Sequence, residues 1–332
     1  MKKIFFVILT LITFMTGGIV SADESPIDYQ VRAQLPDNQK TKDNTYFDLQ
    51  VKPGEKQTIT IEIKNLGSKK KQMVVEANNA TTSDGVTISY SRTKNPLLSS
   101  PGFSQMISKD QQKRLIEVKP KESKVVAFDL TYPKKTFSGY VLGGIHLYEQ
   151  KQENSEKKDG ISFQNQFAYS IAVKLQMKDQ KLTPQLDLGN VKMTTENSHP
   201  IVQAQLKNPV ATMINDLNIE AEISKKGKTV ENFQFEQGKV APNSQFHLTI
   251  PLSQGSLKPG TYLFSGQATS GKNHWKWEKK FTVSNKNYHN AEKENVEKTS
   301  SHWLWIFLGI IVILMVLLLL FIYLKKRKKD IS

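Results

Sequence analysis

Wherever the chain between residues 28 and 284 is periodic, apolar residues recur at every second position. A strand turns successive side chains to opposite faces, whereas a helix needs spacings of three and four. The pattern therefore asks for sheets with one apolar and one polar face. In "YFDLQVKPGEKQTITIEIKN" (Tyr46–Asn65), Phe47, Leu49 and Val51 share one face, as do Ile59, Ile61 and Ile63 after Pro53-Gly54. Pro presets φ and Gly accepts positive φ, so the two runs are expected as neighbouring strands joined by a turn. Pro turns precede alternating residues again in "VKPKESKVVAFDLTYP" (Val118–Pro133), "VAPNSQFHLTIPL" (Val240–Leu252) and "LKPGTYLFSGQA" (Leu257–Ala268). Thr93–Arg114, with two prolines and no period, is expected as a long loop with one helical turn. The fold class that follows is all-β, with two tandem immunoglobulin-like antiparallel β-sandwiches.

The ends of the chain differ from this pattern. Lys2 and Lys3, an apolar run from Ile4 to Met15 and Val20-Ser21-Ala22 read as a secretory signal over residues 1–22. Trp303–Leu324 is 22 residues without a charge, long enough for a C-terminal transmembrane helix, and is followed by the basic "KKRKK". The positive-inside rule then puts residues 325–332 in the cytoplasm and the rest outside, on a single-pass cell-membrane protein. An exported chain with no cysteine has no disulfides, so each domain needs a sizeable packed core. Two such domains are expected. The first is a β-sandwich over 28–149, followed by a charged linker over 150–162. The second is a sandwich over 163–284, and a polar stalk follows over 285–302. Phe167, Tyr169, Ile171, Val173, Leu175 and Met177 alternate as a strand that is expected to pair with the "GYVLGGIHLYE" strand (Gly139–Glu149) and complete the first sheet.

No catalytic constellation is present in the sequence. It holds no Gly-x-Ser-x-Gly elbow, no His-Glu-x-x-His, no phosphate-cradling glycine loop and no thiol. The six histidines stand far apart, so neither a metal site nor a cofactor is expected. Asn78–Gly85 gathers oxygen side chains but offers one carboxylate, Asp84, and reads as a hairpin turn. The net charge of +15 is spread in lysine pairs, which suits anionic wall polymers; an exported domain has no nucleic acid to meet. For binding, the candidates are Trp275 and Trp277 in "NHWKWEKKF" and the loop-adjacent aromatics Tyr46, Tyr90 and Phe103. Clean alternation around Trp275 and Trp277 favours a core role for them.

Several segments occur in a recognisable order: "YFDLQVKPGEKQTITIEIKN", "NNATTSDGVTISYS", "GYVLGGIHLYE", "NQFAYSIAVKLQ", "LKNPVATMINDLNIEAEISKKG", "VAPNSQF" and "LKPGTYLFSGQATSGKNHWKWEKKFTV". With the closing apolar run, this order resembles the WxL-interacting protein family of Gram-positive bacterial surfaces. The resemblance implies a peptidoglycan-binding domain, then a domain described as host-binding, and partnership with secreted WxL-domain proteins. Contact with host extracellular-matrix proteins is a further implication. The family's boundary falls in the charged linker and would assign the 163–178 strand to the second domain. No catalytic residue is implied. The expected function is a membrane-anchored scaffold for adhesion and surface-complex assembly. The competing expectations are a structural spacer or assembly chaperone that pairs with client strands without binding glycan, and a wall hydrolase.

Overall fold

The computed structural model describes residues 28–91, 97–150 and 167–329, with side chains at 28–91, 97–150, 167–293 and 306–320. The expected signal segment and most of the charged linker lie outside the described residues. The chain is mostly strand, in several sheets. It begins with β1 (Tyr29–Gln34), β2 (Phe47–Gln50), β3 (Lys56–Asn65), β4 (Lys71–Asn79), β5 (Thr81–Thr82) and β6 (Ile88–Ser89). A 3-10 turn (Phe103–Met106) and the one-turn helix α1 (Lys109–Gln112) come next. They lead to β7 (Lys113–Val118), β8 (Ser123–Thr131), β9 (Tyr140–Glu149) and β10 (Ala168–Gln176). A three-stranded sheet ordered β1-β3-β8 and a five-stranded sheet ordered β2-β10-β9-β4-β7 enclose the first core. Ile59, Ile61 and Ile63 of one sheet pack there with Phe47, Leu49, Val75, Leu147 and Val173 of the other. Strand β10 is hydrogen-bonded on both sides, antiparallel to β9 and parallel to β2. The sheet is therefore mixed where an antiparallel one was expected.

The second unit contains β11 (Asp187–Glu196), β12 (His199–Asn208), β13 (Ile214–Lys225), β14 (Lys228–Val240), β15 (Ser244–Pro251), β16 (Gly260–Ser270) and β17 (Asn273–Val283). Sheets ordered β11-β12-β15 and β14-β13-β16-β17 enclose the second core around Leu206, Leu217, Ile223, Phe246 and Phe264.

The proline turns do not join neighbouring strands. Each carries the chain from one sheet to the other: β2 to β3, β7 to β8, β14 to β15 and β15 to β16. Phe47 and Ile61 thus meet across the core, on facing sheets rather than side by side in one. The tight hairpins are proline-free. Asn197 and Ser198 link β11 to β12, and Lys226 and Gly227 link β13 to β14, all at positive φ, as two-residue turns between right-twisted strands require.

Two further crossings, β3 to β4 and β12 to β13, are organised by buried asparagines in the same way. Asn65 accepts from Gly67 N at 2.9 Å and donates to Lys69 O at 2.8 Å and Val118 O at 3.1 Å. Asn208 accepts from Val210 N at 3.2 Å and donates to Thr212 O at 2.7 Å and Ala241 O at 3.0 Å. Val118 and Ala241 each open a proline crossing, so one amide ties two sheet-to-sheet connections together in each unit.

The units are docked through the β5–β6 hairpin. Val86, in its turn, is 1% exposed and belongs to the second core. Its carbonyl accepts from Lys239 N at 2.8 Å, and Asp84 Oδ1 accepts from His247 N at 2.9 Å. Thr82 Oγ1 lies 2.5 Å from Ser244 Oγ and accepts from Ala241 N at 3.0 Å. On the other flank Tyr140 N donates to Ala211 O at 2.9 Å, and the Tyr140 hydroxyl accepts from Met213 N at 2.5 Å. Gly139 has φ +69, and a Cβ there would lie 2.2 Å from Ala211 O, so only glycine permits this approach.

The final helix, α2 (Asn285–Lys329), starts directly after β17. Asn287 N donates to Ser284 Oγ at 3.1 Å, while Ala291 is buried and Tyr288 packs on the second core. The expected polar stalk is thus a helix whose first turns lie on the second unit. Among the described residues no helix is long and apolar enough to cross a membrane. The apolar side chains of Ile306–Leu320 stand exposed.

Buried phenols set an alkaline limit on this fold. Burial raises Tyr29 and Tyr90 from the ordinary 10.0 to about 12. It also pushes Tyr132 and Tyr140 up. Such groups stabilise the folded state fully below the unfolded value, and that contribution is lost as pH rises through the folded one. Between pH 10 and about 12, Tyr29 alone should then cost on the order of 1–2 kcal/mol of stability. Denaturant titrations at pH 8, 10 and 11.5 should show a falling midpoint, with part of the tyrosinate absorbance appearing only on unfolding. A midpoint independent of pH would contradict this.

Candidate functional site

The first unit's five-stranded sheet has an outer face unlike that of a solvated sheet. Its inward positions (Met73, Val75, Ala77, Ile145, Leu147, Ile171, Val173) fill the core, so the alternate positions point out. Register aligns those positions in rows across strands. One row is Lys113–Glu76–His146–Ser170, on β7, β4, β9 and β10. The next, on the same strands, is Leu115–Val74–Tyr148–Ala168. At the ~4.8 Å spacing of strands each row runs about 14 Å.

The polar row is interconnected. Lys113 Nζ lies 2.9 Å from Glu76 Oε1, and His146 Nδ1 lies 2.9 Å from Ser170 Oγ. Glu76 is 4% exposed, an unusual position for a carboxylate on the outside of a sheet. Asn78 Nδ2 donates to Glu76 Oε2 at 3.4 Å. Burial lowers the His146 pKa from 6.5, against the pull of Glu76, so the imidazole is neutral at pH 7 and keeps both a donor and an acceptor. The Tyr148 ring lies 5.6 Å from the His146 ring on one side of the row. On the other side Tyr90 lies over Gly144: a Cβ there would sit 2.5 Å from Tyr90 Cδ1. Asn78 Nδ2 donates to Tyr90 O at 2.9 Å and fixes that segment. Tyr46, about one-third exposed, is close enough for its charge to contribute to the raised Tyr90 pKa. The result is a polar row walled by tyrosines, with Leu115 exposed at its margin.

The second unit has a different concavity. Asn232–Glu222–Ser265–Glu278 and Gln234–Glu220–Gln267–Lys276 form two polar rows across β14, β13, β16 and β17. They line a groove of about 730 Å³ whose floor is the strand segment between them, at Phe233, Ala221, Gly266 and Trp277. At the junction between units, Lys40, Lys174, Tyr140 and Leu182 line a smaller cleft of about 460 Å³.

The aromatic candidates fall in three places. Tyr46 and Tyr90 come together on the first unit's outer face. Phe103 is fully buried in the first core, beneath Gly143. Trp275 and Trp277 are half-buried against the second core, and Trp277 Nε1 donates to Leu186 O at 2.9 Å, closing the sheet corner. Lys113, Glu76, His146, Ser170 and Tyr148 are not apparent in the sequence, because 94 residues separate the first and last of them and only register unites them.

Comparison with known proteins also finds two domains but places their boundary before β10. Residues 29–149 match the family model described as WxL Interacting Protein, peptidoglycan binding domain. Residues 158–293 match WxL Interacting Protein, host binding domain, a span that includes β10 of the first unit's sheet. No curated protein matches the chain by sequence. Among solved structures, the Escherichia coli chaperone DraB is similar at 13% identity and a TM-score of 0.28, over 77% of this chain and 98% of that one. The CsuC–CsuE chaperone–tip complex of Acinetobacter baumannii is similar at 16% identity and 0.29, over 69% of this chain and 93% of that one. At such scores the superpositions establish no shared architecture. Both matched models describe binding domains, and their order and joint coverage place the chain in the WxL-interacting protein family.

Proposed function

We propose that the chain is a membrane-anchored surface scaffold. Its first unit binds peptidoglycan, and the chain holds WxL-domain surface proteins, with host extracellular-matrix proteins as a further ligand of the second unit. The observation that carries this reading is the ordered pair of family matches laid over two units docked by an interlocking hairpin. Two grips on one chain gain avidity, because the first contact raises the local concentration of the second. The uncharged run Trp303–Leu324 within α2, followed by Lys325–Lys329, supports a single-pass anchor with both units outside the cell. We read each unit as an immunoglobulin-like sandwich, on the strength of its two facing sheets and largely antiparallel pairing.

The competing spacer or client-strand reading needs an open sheet edge, and β14 is an edge strand. Glu231 of that strand turns to accept from Ser253 N at 2.7 Å, placing a charge of the kind that blunts edges in natural sheets. The test is co-sedimentation of the detergent-solubilised full chain with sacculi stripped of teichoic acid, at low and physiological salt, beside a pull-down of WxL-domain proteins. Salt-resistant pelleting is expected. Pelleting that vanishes at physiological salt would reflect only the chain's positive charge and would sink the glycan reading.

A further inference from the structure

We propose that the outer face of the five-stranded sheet is the peptidoglycan contact, and that it takes an N-acetylated amino sugar together with the carboxylate of its attached peptide. This rests on the reading of the first unit as a peptidoglycan binder. What the face adds is the position and the chemistry. A sugar–peptide unit has apolar ring faces, hydroxyl and amide groups, and an anionic peptide end. The two rows match each of these. Tyr148 and Tyr90 flank the row with aromatic surface against which a sugar ring can lie. His146 and Ser170, 2.9 Å apart, together present a donor and an acceptor toward solvent. Lys113, paired with Glu76 at 2.9 Å, is about half exposed and puts a positive charge at the end of the row that draws a carboxylate.

Burial points to the same face. A carboxylate and an amide, Glu76 and Asn78, are almost wholly withdrawn from water on the side of a sheet that faces away from the core. Glu76 anchors Lys113 and Asn78 holds the Tyr90 segment, so the two buried groups fix the cation and one aromatic wall of the row in place. The opposite face of the unit lacks these features. Several of its polar groups satisfy one another: Thr58 Oγ1 donates to Asp129 at 2.6 Å and Thr60 Oγ1 to Gln34 at 2.8 Å.

The test uses the detergent-solubilised full chain, stripped sacculi and a soluble disaccharide–peptide fragment released from them. Tyr148→Ala removes an aromatic wall, Ser170→Gln crowds the exposed end of the row, and Lys113→Met removes the cation while keeping its stem. Each should weaken binding roughly tenfold or more, as loss of a central contact does. Gln267→Ala and Lys276→Ala, in the second unit's groove, should bind like the wild type. Circular dichroism melts identify any variant that is merely unfolded, and Ser170→Gln, at an exposed site, is the safest in that respect. Wild-type binding with all three face variants unimpaired would overturn the location while leaving the peptidoglycan reading intact. Loss in the groove variants instead would overturn it as well. Absence of wild-type binding would remove the parent reading and this one together.

Discussion

Asn208→Ala is expected to lower unfolding free energy by roughly 3–5 kcal/mol, and Asn65→Ala by a similar amount. Both side chains are fully buried, and each serves three backbone groups. Alanine would leave one amide N–H and two carbonyls without their partner, at roughly 1–3 kcal/mol for each group that water cannot reach. Aspartate should be no better, because it keeps the acceptor but turns a carboxylate oxygen toward two carbonyls. Equal damage from alanine and aspartate would identify the donor side as the essential half. Urea unfolding followed by circular dichroism measures it. A loss below about 1 kcal/mol for both alanine variants would show that the crossings hold by strand pairing alone.

The second large effect is expected at Val86. Val86→Asp places an unpaired carboxylate in the second core and should cost roughly 3–5 kcal/mol. The wild-type chain should melt in one cooperative step, and the variant in two, the second unit first. Calorimetry distinguishes these outcomes, and a single step in the variant would show that the remaining junction bonds suffice to couple the units. Milder substitutions make a finer test. Val86 holds φ +51, a strained position for a β-branched residue. Alanine keeps the strain and loses two methyl groups. Glycine loses one carbon more but releases roughly 1–2 kcal/mol of backbone strain. Val86→Gly should therefore be no worse than Val86→Ala, the reverse of the order at an ordinary core position.

How far the sequence discloses this molecule depends on whether a feature is local. Period-two alternation at Ile59, Ile61 and Ile63 reports a buried strand face because each residue's environment follows from its neighbours in sequence. The same holds for Trp275 and Trp277, whose alternation with lysine and glutamate anticipates their half-buried packing. Sheet membership is not local. Pro53-Gly54 looks the same whether the chain turns back within a sheet or crosses to the facing one, and the crossing is decided by which partners the flanking strands find. The parallel pairing of β2 with β10 depends on residues 126 positions apart. The candidate face is hidden for the same reason: His146 gains its meaning from Glu76 and Ser170, which only strand register brings beside it. Tyr46 and Tyr90 were visible as loop-adjacent aromatics, though nothing local shows that they share a face. Val86 reads as an ordinary turn neighbour of Asp84-Gly85, and its burial belongs to a core that begins a hundred residues later.

The position of β10 bears on how the protein carries force. If the chain is anchored at α2 as proposed, the covalent path of a pull on the first unit enters it at Gln176, the end of a strand bonded along its whole length to β9 and, over Val173–Gln176, to β2 as well. Tension along the strand axis loads those bonds together, in shear, whereas a peeled edge strand would break them one at a time. Resistance to such a pull is set by the rate of the opening step and not by equilibrium stability. On the proposed link between wall and membrane, a strand gripped at its loaded end from both flanks would keep that rate low when growth or flow strains one against the other.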